Sequence, residues 1–313
     1  MTFRQAPGAA TRAELIDTIG GGHHLPQQDR IPANEYVPEV RLVAVTASQS
    51  AVAVVGAGNM GGCLLTGLLA AGVSASRLTA IDLRPELLAP LAQQGVATAT
   101  ELAAVAGADI VVVALKPQVA PKVLPSLAAN LTSGQVVVSV MAGMMTSQLE
   151  AHLPAGQPVV RVMPQTLVQL GAGATAVCAG ATAGPAEVDV VRGLFDCVGT
   201  TVAVTEAQMN AVTGLSGSGP AYIYLVIEAL ADGGVGAGLP REVALQLAAQ
   251  TVAGAGRMVL ATDTHPAALK DQVTSPAGTT IAGLTQLEKA GVRHAFIAAV
   301  EAASQRSREL GDG

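Results

Sequence analysis

The chain has 313 residues, a length for one large domain or two ordinary ones. Hydrophobic residues make up 50% and charged residues 13%, enough for a sizeable core; with 2% aromatics and no Trp, that core is built from Ala, Val, Leu and Ile, and 35 Gly let backbones approach closely. A net charge of -6 with no stripe of Lys or Arg argues against a nucleic-acid surface.

The mean hydropathy of +0.47 raises the question of a membrane. The most apolar segments are broken by Lys116, Glu228, Asp232, Gly or Pro before reaching the roughly 18 apolar residues of a spanning helix, so no membrane span is expected. Three scattered cysteines, Cys63, Cys178 and Cys197, fit neither a disulfide framework nor a zinc site. No other cluster has metal-ligand spacing. There is no long apolar leader, and early acids such as Glu14 and Asp17 argue against a transit peptide, so a cytoplasmic protein is expected.

Residues 1–48 differ from the rest. Gly20-Gly21-Gly22-His23-His24 and Pro26, Pro32 and Pro38 show no sustained period and read as a poorly ordered extension. The His23-His24 pair has no partner cluster and reads as loop.

From Ala51 the texture changes. Strand-like runs fall at 51–55, 78–82, 110–115, 136–140 and 159–163, with helical spacing at 60–71 and 118–129. A weaker strand lies near 173–178, then a helix from Ala186 to about Cys197, then a strand at 201–204. Strands alternating with helices predict a Rossmann-like, doubly wound parallel sheet with right-handed crossovers over 49–205. After about Glu206 the strand signal ends, and 206–313 reads as an all-helical domain. Ser218 or Gly219-Pro220 opens one helix and Pro240 the next. In 244–259, Ala244, Leu247, Ala248, Thr251, Ala255, Met258 and Val259 form one stripe. Burial against a second copy and packing against the chain's own sheet both account for it.

The strand at 51–55 runs into Gly56-Ala57-Gly58-Asn59-Met60-Gly61, and a helical pattern follows. In that context the glycines predict a dinucleotide site: Gly56 for the tight turn, Gly58 for close approach of the pyrophosphate, Gly61 for helix–strand packing. The helix N-terminus offers its free amides to the phosphates. Asp82, about 20 residues beyond Gly61, suits a ribose 2′-hydroxyl. A carboxylate there repels a 2′-phosphate by roughly 4 kcal/mol at about 4 Å and an effective dielectric near 20, favouring NADH. Arg84 could instead pair with that phosphate, and Asp82 could simply cap the helix starting at Pro85, so the choice between NADH and NADPH stays open. The strand from Ile110 ends at Ala114-Leu115-Lys116-Pro117, whose lysine can reach the cofactor or serve only as a solvated loop residue.

Three further segments carry more specific information: Val212-Thr213-Gly214-Leu215-Ser216-Gly217-Ser218-Gly219-Pro220-Ala221-Tyr222; Ala229-Leu230-Ala231-Asp232-Gly233-Gly234-Val235 with Gly238-Leu239-Pro240-Arg241; and Leu269-Lys270-Asp271-Gln272-Val273-Thr274-Ser275-Pro276-Ala277-Gly278-Thr279-Thr280-Ile281. In this order, behind a dinucleotide fold, they resemble pyrroline-5-carboxylate reductase over about 51–310. The resemblance implies reduction of the C=N bond of Δ1-pyrroline-5-carboxylate by NAD(P)H, giving L-proline. It implies that Gly56, Gly58, Asn59, Met60 and Gly61 hold the pyrophosphate and that Ala114, Lys116 and Pro117 line the cofactor. It places the substrate on Val273, Ser275, Ala277, Gly278, Thr279 and Thr280. Thr213, or a water on Thr213 or Ser216, becomes the candidate proton donor. It also implies intertwined dimers, larger rings of dimers, a site shared between chains, and NADPH as the usual cofactor.

The residues support the loop assignment independently, because successive amides and hydroxyls at a helix start form an anion site fit for a carboxylate. Positioning can supply several kcal/mol of barrier lowering, up to about 7–11, for an imine that is already electrophilic once protonated. Three departures from the resemblance stand out: beyond the strand at 159–163, Gln165 replaces the family's Asn and lengthens a side chain, Leu167 replaces its second Pro and loosens the loop, and Ala277 replaces a Gly. Two other readings are an oxidoreductase for another small imino or hydroxy acid, and a non-catalytic dinucleotide-binding paralogue.

Overall fold

The computed structural model describes residues 49–311. The segment 1–48, with the His23-His24 pair, lies outside the described residues. Eight strands form one sheet: β1 (Val52–Val55), β2 (Leu78–Ile81), β3 (Ala97–Ala99), β4 (Ile110–Val113), β5 (Val136–Ser139), β6 (Val159–Met163), β7 (Gly173–Ala179) and β8 (Gly199–Ala203). Their order is β3-β2-β1-β4-β5-β6-β7-β8. The helices α1 (Asn59–Ala70), α2 (Pro85–Ala92), α3 (Ala120–Ala128), α4 (Thr146–Glu150) and α5 (Pro185–Asp196) connect the strands.

The alternation along each strand divides the core. Val112 joins Leu64, Leu65 and Leu68 of α1 and Leu194 and Phe195 of α5. Val111 and Val113 face the other way, toward Leu124 and Leu127 of α3. Both faces are covered by helices, so the strands appear in the sequence as unbroken apolar runs. At about 1.5–3 kcal/mol for each buried large aliphatic side chain, this double core supplies most of the driving force for the fold.

The fold class is the expected one, with two differences of detail. The short strand β3 has no apolar signature, because two of its three residues are exposed. Strand β7 runs antiparallel to β6. The connection 164–172 is a 3-10 turn ended by Gly171 at φ +67°, and it is too short for the dozen or more residues of a helical crossover.

Beyond Glu206 the chain is helical: α6 (Met209–Val212), a π-turn (Thr213–Gly217), α7 (Gly219–Gly236), α8 (Arg241–Thr262), α9 (Pro266–Gln272), α10 (Thr279–Lys289) and α11 (Val292–Gly311). Helix α8 packs against α7 through Ala244 and Ala248 on Ala231. The rest of the predicted stripe is open: Leu247 is 54% and Met258 52% exposed. By length and composition alone α8 could cross a membrane, which corrects the expectation that no segment qualifies; it begins with Arg241 and Glu242 and contains Arg257.

Candidate active site

The strand order reverses between β1 and β4, and the ends of β1, β2 and β4 meet there. The Gly56 amide donates to Ile81 O at 2.7 Å, and Ala114 N donates to Val55 O at 2.8 Å. Gly56 has φ +99°, and a Cβ on it would lie 2.5 Å from Ala114 O. A Cβ on Gly61 would lie 1.9 Å from Gly56 O, so α1 can lie on the turn only as glycine there. Gly58 differs: an added Cβ would meet only Arg84 Nη2, at 3.6 Å. The amides of Asn59, Met60 and Gly61 open α1 with no earlier helical turn to accept from them, and no acid stands in the first turn. These observations fit a pyrophosphate.

Asp82 turns inward, with its side chain 8% exposed. Its Oδ2 accepts the Ala57 amide at 2.9 Å and its Oδ1 accepts the Arg84 amide at 3.0 Å. Arg84 Nε lies 3.1 Å from Oδ1. Burial pushes this carboxyl up, but the Arg84 guanidinium and the two amides outweigh it and hold Asp82 below the usual carboxylate range. Asp82 is not the cap of α2; the cap position is Arg84, with no side-chain cap bond. The Lys116 side chain is exposed and Pro117 half-buried, beside this crevice.

The candidate substrate loop joins α9 to α10. Gly278 N donates to Ser275 O at 3.1 Å, and Gly278, in extended conformation, is the cap position of α10. A Cβ on Gly278 would lie 2.1 Å from Ser275 Oγ. Ala277 adopts φ +55°, the left-handed region in which its Cβ is strained. Val273 is 67% exposed. Thr280 is half-buried and Thr279 exposed, and neither hydroxyl has a hydrogen-bond partner among the described residues. The two halves of the predicted site therefore have different settings in one chain. The glycine turn is built into the sheet, whereas α10 packs substantially only against α11 among the described residues.

Thr213 and Ser216 lie in the π-turn, where Ser218 N donates to Thr213 O at 2.9 Å. Thr213 Oγ1 donates to Met209 O at 2.9 Å and Ser216 Oγ to Val212 O at 3.2 Å. Each hydroxyl proton is thus engaged by the backbone, leaving lone pairs to accept from a water.

Residues 206–310 match the family model described as pyrroline-5-carboxylate reductase dimerisation, and residues 51–143 match one described as NADP oxidoreductase coenzyme F420-dependent. A pyrroline-5-carboxylate reductase of Methanosarcina acetivorans is 46% identical over 82% of this chain and 96% of its own length. The chain belongs to the pyrroline-5-carboxylate reductase family. Two solved structures of the family have the same fold. The Coxiella burnetii pyrroline-5-carboxylate reductase has 35% identity and a TM-score of 0.78, covering 83% of this chain and 98% of that one. The Plasmodium falciparum pyrroline carboxylate reductase, solved with NADP bound, has 31% identity and a TM-score of 0.76, covering 84% and 99%.

In this reductase-family chain Leu167, expected to loosen the loop after β6, has its amide held by Gln165. Gln165 is buried, and its Oε1 accepts Leu167 N at 2.8 Å, a bond the family's Pro could not make. Sequence reasoning missed the groups that brace the π-turn. Tyr222 Oη donates to Gly214 O at 3.2 Å, Ser307 Oγ donates to Asn210 Oδ1 at 2.8 Å, and a Cβ on Gly214 would lie 2.2 Å from Ser304 Oγ. Arg161 and Glu206 were missed as well. Apart from Gly214 and Tyr222, which share one motif, these contacts join distant parts of the chain with no spacing that a motif could record.

Proposed function

We propose that this chain reduces Δ1-pyrroline-5-carboxylate to L-proline. The loop at the start of α10 carries the reading: its unpaired amides and the unengaged hydroxyls of Thr279 and Thr280 suit a small carboxylate with an adjacent imine. In this reading the amides of Ala277, Thr279 and Thr280 grip the carboxylate, and Ser275 adds a hydroxyl. A nicotinamide dinucleotide would supply the hydride, its pyrophosphate held by Gly56, Gly58, Asn59, Met60 and Gly61 and its length lined by Ala114, Lys116 and Pro117. The imine carbon gains that hydride, the C=N pair moves to nitrogen, and the nitrogen keeps its proton. The half-buried Thr280 hydroxyl, whose proton is uncommitted, orients the nitrogen. Thr213 and Ser216 act through a water they accept from, because their own protons serve Met209 O and Val212 O.

Both nicotinamide cofactors are used, with NADH preferred, because Asp82 faces the ribose position. The site is completed by a second copy. The open faces of α7 and α8, with Leu225 at 66% and Leu260 at 76% exposed, need such a cover. These faces pair in solution as a dimer, from which larger rings can grow, and the protein works in the cytoplasm. Initial-rate assays with Δ1-pyrroline-5-carboxylate and each cofactor test the activity. Turnover lost in Thr280→Ala with dinucleotide binding intact is the expected result. Full turnover in that variant, or dinucleotide binding without any turnover in the parent protein, overturns it.

A further inference from the structure

One charged cluster, buried at Arg161 and partly buried at Glu206, lies outside the residues assigned to either ligand. Arg161 points from β6 into the interface between sheet and helices and is 3% exposed. Its Nη1 donates to Glu206 Oε1 at 3.1 Å, while its Nε has no partner among the described residues. Glu206 begins the helical region, and both its oxygens are engaged. Thr146 N donates to Oε1 at 2.7 Å and Thr146 Oγ1 donates to Oε2 at 2.6 Å. Thus β6, the start of α4 and the first residue of the helical region are tied at one carboxylate.

Stability alone does not account for this arrangement. A buried ion pair stabilises little compared with apolar packing of the same volume, and an orphaned buried Nε adds a desolvation cost. The ion pair instead imposes a direction. One helical turn past Glu206, the fully buried Met209 packs with Met163, Ala176 and Cys178 at the sheet. One turn further, Thr213 donates to the Met209 carbonyl. Met163, two residues along β6 from Arg161, lies under the π-turn, since a Cβ on Gly217 would come within 2.9 Å of its Cε. On the opposite side Ser304 and Tyr222 close against Gly214.

We infer that the Arg161–Glu206–Thr146 cluster is a positioning device that sets the height of the π-turn over the end of β6, and so the placement of Thr213 and Ser216 at the substrate. Arg161 and Glu206 are positioning residues acting through that turn. The inference rests on the proposed reading that the turn lines the reductase site.

The test uses the full-length protein and the variants Glu206→Gln, Arg161→Lys, Thr146→Val and Thr213→Ala. It measures kcat, KM for the imino acid, calorimetric affinity for L-proline, dinucleotide affinity and thermal unfolding. Glu206→Gln should lower kcat about tenfold and weaken L-proline binding, with dinucleotide affinity unchanged; Arg161→Lys should lose less. Thr146→Val, the mildest change, serves where Glu206→Gln fails to fold, and should show the same pattern weakly. In the Thr213→Ala background the Glu206→Gln loss should largely vanish, since coupled residues are not additive. Fully additive losses, or a change confined to unfolding temperature, overturn the inference while leaving the reductase reading standing. A silent Thr213→Ala overturns the inference together with the role given to the turn, and absent turnover in the parent protein is the separate failure of the proposed function.

Discussion

The Asp82 carboxylate accepts the amide of Ala57 at 2.9 Å, so the end of β2 is bonded to the middle of the glycine turn. The acid does two jobs. It holds the turn, and in the proposed reading its charge lies beside the adenosine ribose. Asp82→Ala should therefore weaken binding of both cofactors yet shift the kcat/KM ratio toward NADPH by about tenfold, or about 1.4 kcal/mol. Arg84→Ala should shift it the other way. A ratio unmoved by either change would remove both residues from cofactor choice.

The glycines of the turn should separate by experiment. Gly61→Ala forces a Cβ onto Gly56 O and should cost about 1–3 kcal/mol of stability along with cofactor binding. Gly58→Ala meets no protein backbone, and Gly58 has an ordinary φ of -69°, so its stability should barely change. Its dinucleotide affinity should nonetheless fall, because the new methyl enters the pyrophosphate's space. Denaturant unfolding and cofactor titration of both variants read the difference.

Ala277 carries strain at φ +55°. Ala277→Gly relieves it but gives the unfolded chain more freedom, so a net gain of about 0.5–1 kcal/mol is expected. The check is denaturant unfolding at one fixed protein concentration, because dimerisation contributes to apparent stability. Turnover should be retained, since Gly reaches the same conformation.

Glu206 makes stability depend on acid. Burial raises its pKa, but Thr146 and Arg161 outweigh this and leave it below the ordinary carboxylate range. A lowered folded-state pKa means the folded state binds the proton more weakly than the unfolded one. The Glu206 contribution is complete above the ordinary glutamate range and is lost as pH falls through the folded value. Glu206→Gln should flatten the acid limb of a stability–pH curve and leave the slope above neutrality unchanged.

The glycine turn and the loop before α10 were legible because each is local in the sequence. Gly56, Gly58 and Gly61 lie within one turn, and at Gly56 and Gly61 the requirement follows from where a Cβ cannot stand. Ser275, Gly278, Thr279 and Thr280 likewise lie within one loop and its helix start. Asp82 was found by its spacing, but its bonds to Ala57 and Arg84 depend on how β2 ends beside β1. The π-turn left no sign beyond its glycines, because a one-residue widening of a helix changes no hydrophobic period. Leu167 in place of a Pro reads as a loss of rigidity, but the Gln165 side chain accepts its amide and caps the loop, a contact no local pattern records.

By itself, the sequence determined the alternating elements, the glycine turn, the Gly- and hydroxyl-rich loop before α10 and the point where strands give way to helices. Each is encoded by neighbours a few residues apart, through side-chain period and backbone sterics. The reversal of β7, the inward carboxylate of Asp82 and the cluster joining Arg161, Glu206 and Thr146 were decided only by tertiary structure. Those contacts join residues from separate parts of the chain, and their geometry exists only once the sheet has brought its strand ends and the first helical turns together.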